Sequence, residues 1–511
     1  MTFSSLPDTT PIIVGAAQHS EDINAANPRL SAPMDLAEIA AKQALTDAGI
    51  HFTPADIDCI AMVRKFSDTA PAWKSPFGGS NNPPGSLAYR IGANPSRLIY
   101  SASAGTQPME LLTEAMCAIA RGEITTALIT GCEAIANQRY AQRNGIELDW
   151  NEQNELRVDK RHETSSIHSP EELAAGLYMP LQVYALIENL RAHQRGQNRD
   201  QLDRAMGQLL APFSEVASKN PHAVRKAKLS AEDIISSAKN NYELSLPYRK
   251  LQVSQDAVNQ SAAILVTSVG EARKKGIDES RWVFVQAYAY GQDIPLTQRA
   301  DPARSEAMTS VLRHAVEQAG LAAKDFDHID LYSCFPCAVD AACEILDLPT
   351  DGSIPLTVTG GLPYFGGPGN NYCTHALAEM IIRLRGTNKR GLITANGGAL
   401  SKHAAIALGT SPGSNPPDWR NGDFNCVNAS DIAAVDYCPA PGEGTILTYT
   451  LIPNRKGNDR ALVIAENGQG QRFLAHSEQA EECKAVAETN PIGRTIEVIN
   501  SREQSHQFRF A

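Results

Sequence analysis

The residues able to do chemistry fall into five short stretches. Tyr332-Ser-Cys-Phe335, with Cys337 two positions on, places two thiols at the start of an apolar helical run. A thiol attacks a carbonyl carbon when a helix N-terminus or a histidine holds it as thiolate. Residues 360–372 read GGLPYFGGPGNNY. Glycines such as Gly366 and Gly367 let backbone amides approach a ligand, and Asn370 and Asn371 add side-chain donors. His375 follows and could bring an imidazole to the same pocket. Ala395-Asn-Gly-Gly398, carrying Asn396 and Gly397, is another small-residue turn, with Lys402 and His403 close behind. Ser101, Ser103 and Gly105 precede a further helix.

Each stretch also has a plain reading. Both cysteines could be packing residues, and the small residues at 101–105 could simply permit close approach at a helix start. A lone helical histidine is more often structural or solvent-facing. Lys402 and His403 read first as a solvated loop tip.

The elements that must position these groups alternate between strand and helix. Ile12–Ala17 is a buried strand by its apolar run. Pro33–Gly49 carries Leu36, Ile39, Ala40, Ala44 and Leu45 at helical spacing, with Gly49 as the stop. Asp56–Val63 reads as strand, Pro108–Ala120 as amphipathic helix closed by Gly122, and Thr126–Gly131 as strand. That alternation predicts a mainly parallel sheet covered on both faces.

The second half repeats the plan. Its strands are Trp282–Ala287, His328–Leu331 and Gly391–Ala395; its helices are Arg304–Ala319, Ala338–Leu346 and Thr374–Leu384. Between the halves, a polar segment rich in Arg, Gln, Asn and Glu has mostly helical periodicity and reads as an insertion, after which Ser261–Val266 resumes the sheet. Past the Gly/Pro/Ser/Asn-rich stretch Gly409–Asn421, the runs 444–451, 460–464, 471–475 and 494–499 are β-like. They predict a small β-rich domain, of which an oligonucleotide/oligosaccharide-binding barrel is one form.

With 511 residues and a formal charge of -11, the chain has no basic surface for nucleic acid. No apolar run reaches the roughly 20 residues a membrane span needs. The N-terminus lacks the pattern of a signal peptide and the C-terminus a peroxisomal tripeptide, so a cytoplasmic location is expected. The ten cysteines are scattered without the CxxC pairing of a structural zinc site and do not look like a disulfide framework, so neither is expected.

Four segments, 105–133, 328–348, 360–386 and 395–398, together resemble the thiolases, most closely the sterol-carrier-protein type and the thiolase-like proteins of type 1. The opening PIIVGAAQ and residues 253–265 (VSQDAVNQSAAIL) fit the same plan. The resemblance covers residues 8 to 410. It implies a duplicated five-layer αβαβα fold: residues 8–136 plus 250–275 as the first half, an inserted helical loop domain at 137–249, and the second half at 280–410. A linker at 411–430 and an additional β-rich domain at 431–511 would complete the chain.

The resemblance also says what is missing. In that family a cysteine at a helix N-terminus, a histidine in Gly-His-Pro-x-Gly and a second cysteine or histidine carry out acyl transfer. Here Gly105 stands at the nucleophile position, with Ser103 within a two-residue shift. Gly367 replaces the histidine, Asn370 the last glycine of that loop, and Ala395 the third group. Tyr332 and Ser333 replace the polar residue and the acid of the second loop, while Cys334 and Phe335 are kept.

What the resemblance implies is therefore an acyltransferase-like protein of the acetyl-CoA acetyltransferase type that binds acyl-CoA thioesters with a non-standard site. Cys334, His375, Tyr332 and Ser103 are its catalytic candidates. Gly105, Gly366, Gly367, Asn370, Asn371, Asn396 and Gly397 are its binding candidates. Coenzyme A thioester is expected as substrate or ligand, with no tightly bound cofactor and no metal. The alternative is an inactive subunit working with a partner, docked through the C-terminal domain; a lipid carrier is a third class. Thiolases pair through the first half's edge strand, so a homodimer, a heteromer and a monomer all stay open.

Overall fold

The structure is a computed structural model describing residues 3–69, 73–162, 168–454, 457–502 and 505–511. The first half contains β1 (Pro11–Ser20), α1 (Pro33–Ala48), β2 (Cys59–Met62), α2 (Pro83–Ile91), β3 (Arg97–Tyr100), α3 (Gln107–Ala120) and β4 (Thr126–Ala134). The insertion follows as α4 (Ile135–Asn144), β5 (Asp159–Lys160), α5 (Pro170–Ala174), α6 (Pro180–Gln194), α7 (Arg199–Lys219), α8 (Ala231–Ile235), β6 (Glu243–Ser245) and β7 (Tyr248–Arg249). The chain returns to the first sheet as β8 (Asn259–Ser268) and leaves through α9 (Val269–Lys274). The second half is β9 (Phe284–Gln292), α10 (Glu306–Ala319), β10 (His328–Asp330), α11 (Pro336–Leu346), α12 (Tyr372–Leu384), β11 (Arg390–Gly397), β12 (Lys402–Gly409) and β13 (Asn425–Val427).

The two sheets share one topology. The first runs β1-β8-β4-β2-β3-β5, the second β10-β11-β12-β9-β13. In each, the opening strand (β1 or β9) pairs antiparallel with the last long one (β8 or β12). That strand pairs antiparallel with β4 or β11, which pairs parallel with β2 or β10. Ile13 and Val283 exchange both backbone hydrogen bonds, at 2.9 and 3.1 Å, where β1 meets β9.

Five layers result from which faces are apolar. Along β1, Ile12 and Val14 point into the core shared with Leu36, Ala40 and Leu45 of α1, while Ile13 and Ala16 point into the opposite core. That second core holds Met109, Leu112 and Met116 of α3 together with Leu377, Met380 and Ile381 of α12, so both helices lie between the sheets. Helix α10 covers the far face of the second sheet with Met308, Val311, Leu312 and Ala315. A strand buried on both faces reads as a continuous apolar run, which is why Ile12–Ala17 and Ser261–Val266 were legible.

The C-terminal region is a closed five-stranded barrel of β14 (Glu443–Ile452), β15 (Arg460–Glu466), β16 (Arg472–Ser477), β17 (Thr495–Arg502) and β18 (Ser505–Phe510), ordered β14-β15-β16-β18-β17. Helix α13 (Ala480–Glu488) lies between β16 and β17, and β16 pairs parallel with β18. That order is the one of oligonucleotide/oligosaccharide-binding barrels. The barrel is docked on its own chain. Asn189 of α6 donates to the carbonyls of Leu246 (3.0 Å) and Tyr449 (2.8 Å), and Arg472 donates to Ala300 O (2.8 Å).

Two expectations need correction. The stretch expected as a linker at 411–430 contains β13 and a buried Trp419, packed on Phe424 at 5.2 Å, because its few aromatics close over the edge of β9. Lys402 and His403 form no solvated tip: they open β12 and are 5% and 1% exposed. The edge strand β3, open in the sequence reading, is paired by β5, a piece of the insertion.

Candidate functional site

Two other loops close on Gly105. It lies one residue before Thr106, the N-cap of α3. A Cβ placed on it would stand 2.2 Å from the Asn396 carbonyl oxygen, 2.4 Å from the Tyr332 hydroxyl and 2.9 Å from Tyr332 Cζ. Gly105 is outside the left-handed region, so it is glycine for want of space. A Cβ on Gly397 would likewise meet the Ala104 Cβ at 2.8 Å. The volume that a side chain at 105 would need is filled by the Tyr332 hydroxyl and a strand carbonyl.

Tyr332 is fixed from several sides. Its backbone N–H donates to Thr394 Oγ1 at 2.9 Å, and its ring meets Tyr372 edge-on at 5.5 Å. The Tyr372 hydroxyl lies 3.0 Å from Asp330 Oδ1 and 2.6 Å from Thr359 Oγ1. Asp330 Oδ2 accepts from Thr357 Oγ1 and from Val358 N–H, both at 2.9 Å. This buried carboxyl thus holds the start of the glycine-rich segment. Burial outweighs these bonds and raises it to about 6. Burial also raises the Tyr332 phenol well above its ordinary range, so it stays protonated.

Cys334 is 8% exposed, with its thiol hydrogen-bonded to Tyr184. Burial pushes that thiol up to about 12, far from the range of a resting thiolate. Cys337 is fully buried, accepts from the Tyr248 hydroxyl at 3.3 Å, and burial, with Glu188 adding to it, raises its thiol well above the ordinary range. Ser333 accepts from Leu362 N–H at 3.1 Å and ties two of the loops together. Ser103 is half-buried and donates to Thr69 Oγ1 at 3.3 Å.

The histidine position is closed as well. A Cβ on Gly367 would meet Ser254 Oγ at 2.1 Å, and one on Gly366 (φ 121°) would meet Val258 at 2.8 Å. Of the adjacent pair, Asn370 Nδ2 is committed to Arg64 O at 2.9 Å. Asn371 Oδ1 accepts from Thr374 at 2.6 Å, while its buried Nδ2 has no partner among the described residues. His375 is fully buried on α12 with Nδ1 2.9 Å from Gln18 Oε1 and Nε2 unpartnered. Gln18 uses its own N–H to reach Glu379 at 3.2 Å, so its oxygen accepts from His375 Nδ1–H. Desolvation, with a smaller push from His222, holds this imidazole neutral. Its Nε2 is therefore a lone-pair acceptor.

The turn after β11 is strained. Ala399 and Leu400 both adopt left-handed φ, 55° and 62°, at about 1 kcal/mol each. Arg299 holds the turn by donating to Leu400 O at 2.7 Å. The Asn396 side chain faces inward, its Oδ1 2.9 Å from His403 Nδ1, and His403 Nε2 lies 3.0 Å from Ser305 Oγ, which donates to Asp293 at 2.6 Å. Asn396 therefore offers its carbonyl, not its amide, to the space beside Gly105. Asp293, Ser305 and His403 went unread as a group, and Asp330 as an anchor, because only the fold brings each to its partners; no spacing links them.

Residues 427–503 match the family described as thiolase-like protein type 1 additional C-terminal domain. An acetyl-CoA acetyltransferase of Methanothermobacter thermautotrophicus is 27% identical over 219 residues, covering 40% of this chain and 54% of that protein. The solved Ltp2-ChsH2(DUF35) aldolase superposes with a TM-score of 0.57 at 17% identity, over 79% of this chain and 98% of that one. A monomeric SCP2-thiolase-like protein type 1 from Mycobacterium smegmatis superposes with a TM-score of 0.81 at 31% identity, over 99% of this chain and 100% of that one. The chain belongs to the thiolase superfamily, as an SCP2-thiolase-like protein of type 1.

Proposed function

We propose that this protein binds an acyl-CoA thioester and polarises its carbonyl without forming the acyl-cysteine of a thiolase. The observation that carries this reading is the filled space at Gly105, where Tyr332 and the Asn396 carbonyl stand in place of a nucleophile's Cβ. Covalent transfer also needs a thiolate, and the Cys334 thiol at about 12 does not supply one near neutral pH. What remains is suited to holding a carbonyl: the free Asn371 Nδ2, the protonated Tyr332 phenol and the N-terminus of α12. The unpartnered lone pair of His375 Nε2 adds an acceptor for a donor group on the ligand.

Calorimetric titration with acetyl-CoA tests the reading. Saturable binding to the wild type, at least tenfold weaker in Asn371→Ala, is the expected result. Binding unaffected by Asn371→Ala and Tyr332→Phe together would remove it.

The partner-subunit alternative draws support from the aldolase neighbour, in which a thiolase-like chain is solved with a DUF35 protein. In this chain the barrel is already seated on α6 and on the second half, and β3 is already paired by β5. Both surfaces that a partner would use first are occupied in cis. Size-exclusion chromatography should therefore give a monomer.

A further inference from the structure

We propose that Arg225, Lys250 and the Tyr364 hydroxyl form a binding subsite for an anionic group, a carboxylate or a phosphate, carried by the ligand; this rests on the thioester-binding reading above. The three groups come from separate parts of the chain. Arg225 follows α7, Lys250 follows β7, and Tyr364 lies in the glycine-rich segment.

Arg225 and Tyr364 are joined to the candidate site by direct contacts, and Lys250 lies close enough to Arg225 and Asp256 to feel their charges. Arg225 N–H donates to Tyr364 O at 3.0 Å, and Arg225 Nη2 donates to Gln255 Oε1 at 3.3 Å. The Gln255 carbonyl accepts from Gly367 N–H at 2.7 Å, and Ser254 beside it donates its N–H to Cys334 O at 3.0 Å. The subsite therefore lies beside the position from which the family's histidine is missing.

The charges there do not cancel. Among the described residues neither Arg225 nor Lys250 has a carboxylate partner, although both are half-buried. The nearby acid, Asp256, is taken by Arg139 in a two-pronged pair at 2.9 and 2.6 Å. Desolvation lowers both cations; Asp256 offsets part of this at Lys250, while Arg225 and Arg139 lower it. Half-burying two cations without a paired carboxylate costs free energy that a bound anion would offset. Independently, the Tyr364 hydroxyl is fully buried and has no hydrogen-bond partner, close enough to Arg225 to feel its charge. It would donate to the same anion.

Two sources could deliver that group: the phosphates of coenzyme A, or a carboxylate at the far end of the acyl chain. Titration calorimetry on the full chain separates them with four probes: acetyl-CoA, S-acetylpantetheine, hexanoyl-pantetheine and adipoyl-pantetheine. A phosphate source predicts acetyl-CoA at least tenfold tighter than S-acetylpantetheine; a carboxylate source predicts adipoyl-pantetheine at least tenfold tighter than hexanoyl-pantetheine. In either case Arg225→Gln and Lys250→Gln should each erase the preference. Either variant keeping the wild-type preference within twofold, or a wild type with no preference, would overturn the subsite. If the wild type bound no thioester, the thioester reading would fail separately. Inorganic phosphate and adipate would then decide: a rise in melting temperature for the wild type but not for Lys250→Gln supports the subsite, and no rise overturns it.

Discussion

Replacing Gly105 by cysteine restores the residue type a thiolase would carry and should damage the protein instead. The new Cβ would stand 2.2 Å from the Asn396 carbonyl oxygen and 2.4 Å from the Tyr332 hydroxyl, against a comfortable heavy-atom separation of about 3.5 Å. Neither obstacle moves easily. Asn396 lies in β11 opposite His403 of β12, and Tyr332 is held by Thr394 and Tyr372. Relieving more than 1 Å of overlap against a strand backbone should cost about 3 kcal/mol. Urea unfolding followed by circular dichroism measures it for Gly105→Ala and Gly105→Cys. Truncating Tyr332 to alanine alone should cost about 3–5 kcal/mol for the lost buried ring. The double variant Gly105→Cys/Tyr332→Ala should then be at least about 1 kcal/mol more stable than the sum of the single losses, because one substitution vacates part of the space the other requires. Strict additivity, or a Gly105→Ala protein within about 0.5 kcal/mol of wild type, would show that the nucleophile's space is open and would refute the argument.

Three further outcomes follow from the same structure. With its thiol at about 12, Cys334 should resist iodoacetamide at pH 8 in the folded protein and react once urea unfolds it; peptide mapping reads both. Buried Glu133 is raised by desolvation from 4.5 to about 8, so the folded state binds its proton more tightly than the unfolded chain does. That contribution to stability is complete below about pH 4.5 and is lost as the pH rises through 8, by a few kcal/mol in order of magnitude. Glu133→Gln, which keeps an acceptor for Phe66 N–H, should flatten the decline in melts between pH 5 and 9. Asn189→Ala leaves the Leu246 and Tyr449 carbonyls without their shared donor and should loosen barrel docking by about 1–3 kcal/mol, read as faster proteolysis between the second half and the barrel.

The strands of both sheets could be read in the sequence because burial on two faces makes them apolar throughout, as in β1 and β8. Helix α2 could not, since Pro83-Pro84-Gly85 looks like a turn; the prolines in fact sit in its first turn, capped by Asn82 at 3.1 Å from Gly85 N. The start of β12 was hidden by Lys402 and His403, whose polarity is satisfied inside the protein. For the site, the gaps at Gly105, Gly367 and Ala395 were visible as residue types. What fills them was not, because Tyr332 and Ser254 reach those spaces from distant loops. Cys334 looked reactive by its position beside a helix start; only its burial against Tyr184 shows the thiol to be protonated.

The central claim is that a thioester is held here without covalent transfer. Incubating the wild type with acetyl-CoA, then measuring binding by calorimetry and intact mass by electrospray on the same sample, tests it most directly. The account predicts saturable binding with the mass unchanged. A protein heavier by one acetyl group, mapped to Cys334 or to any other side chain of the candidate site, would contradict it.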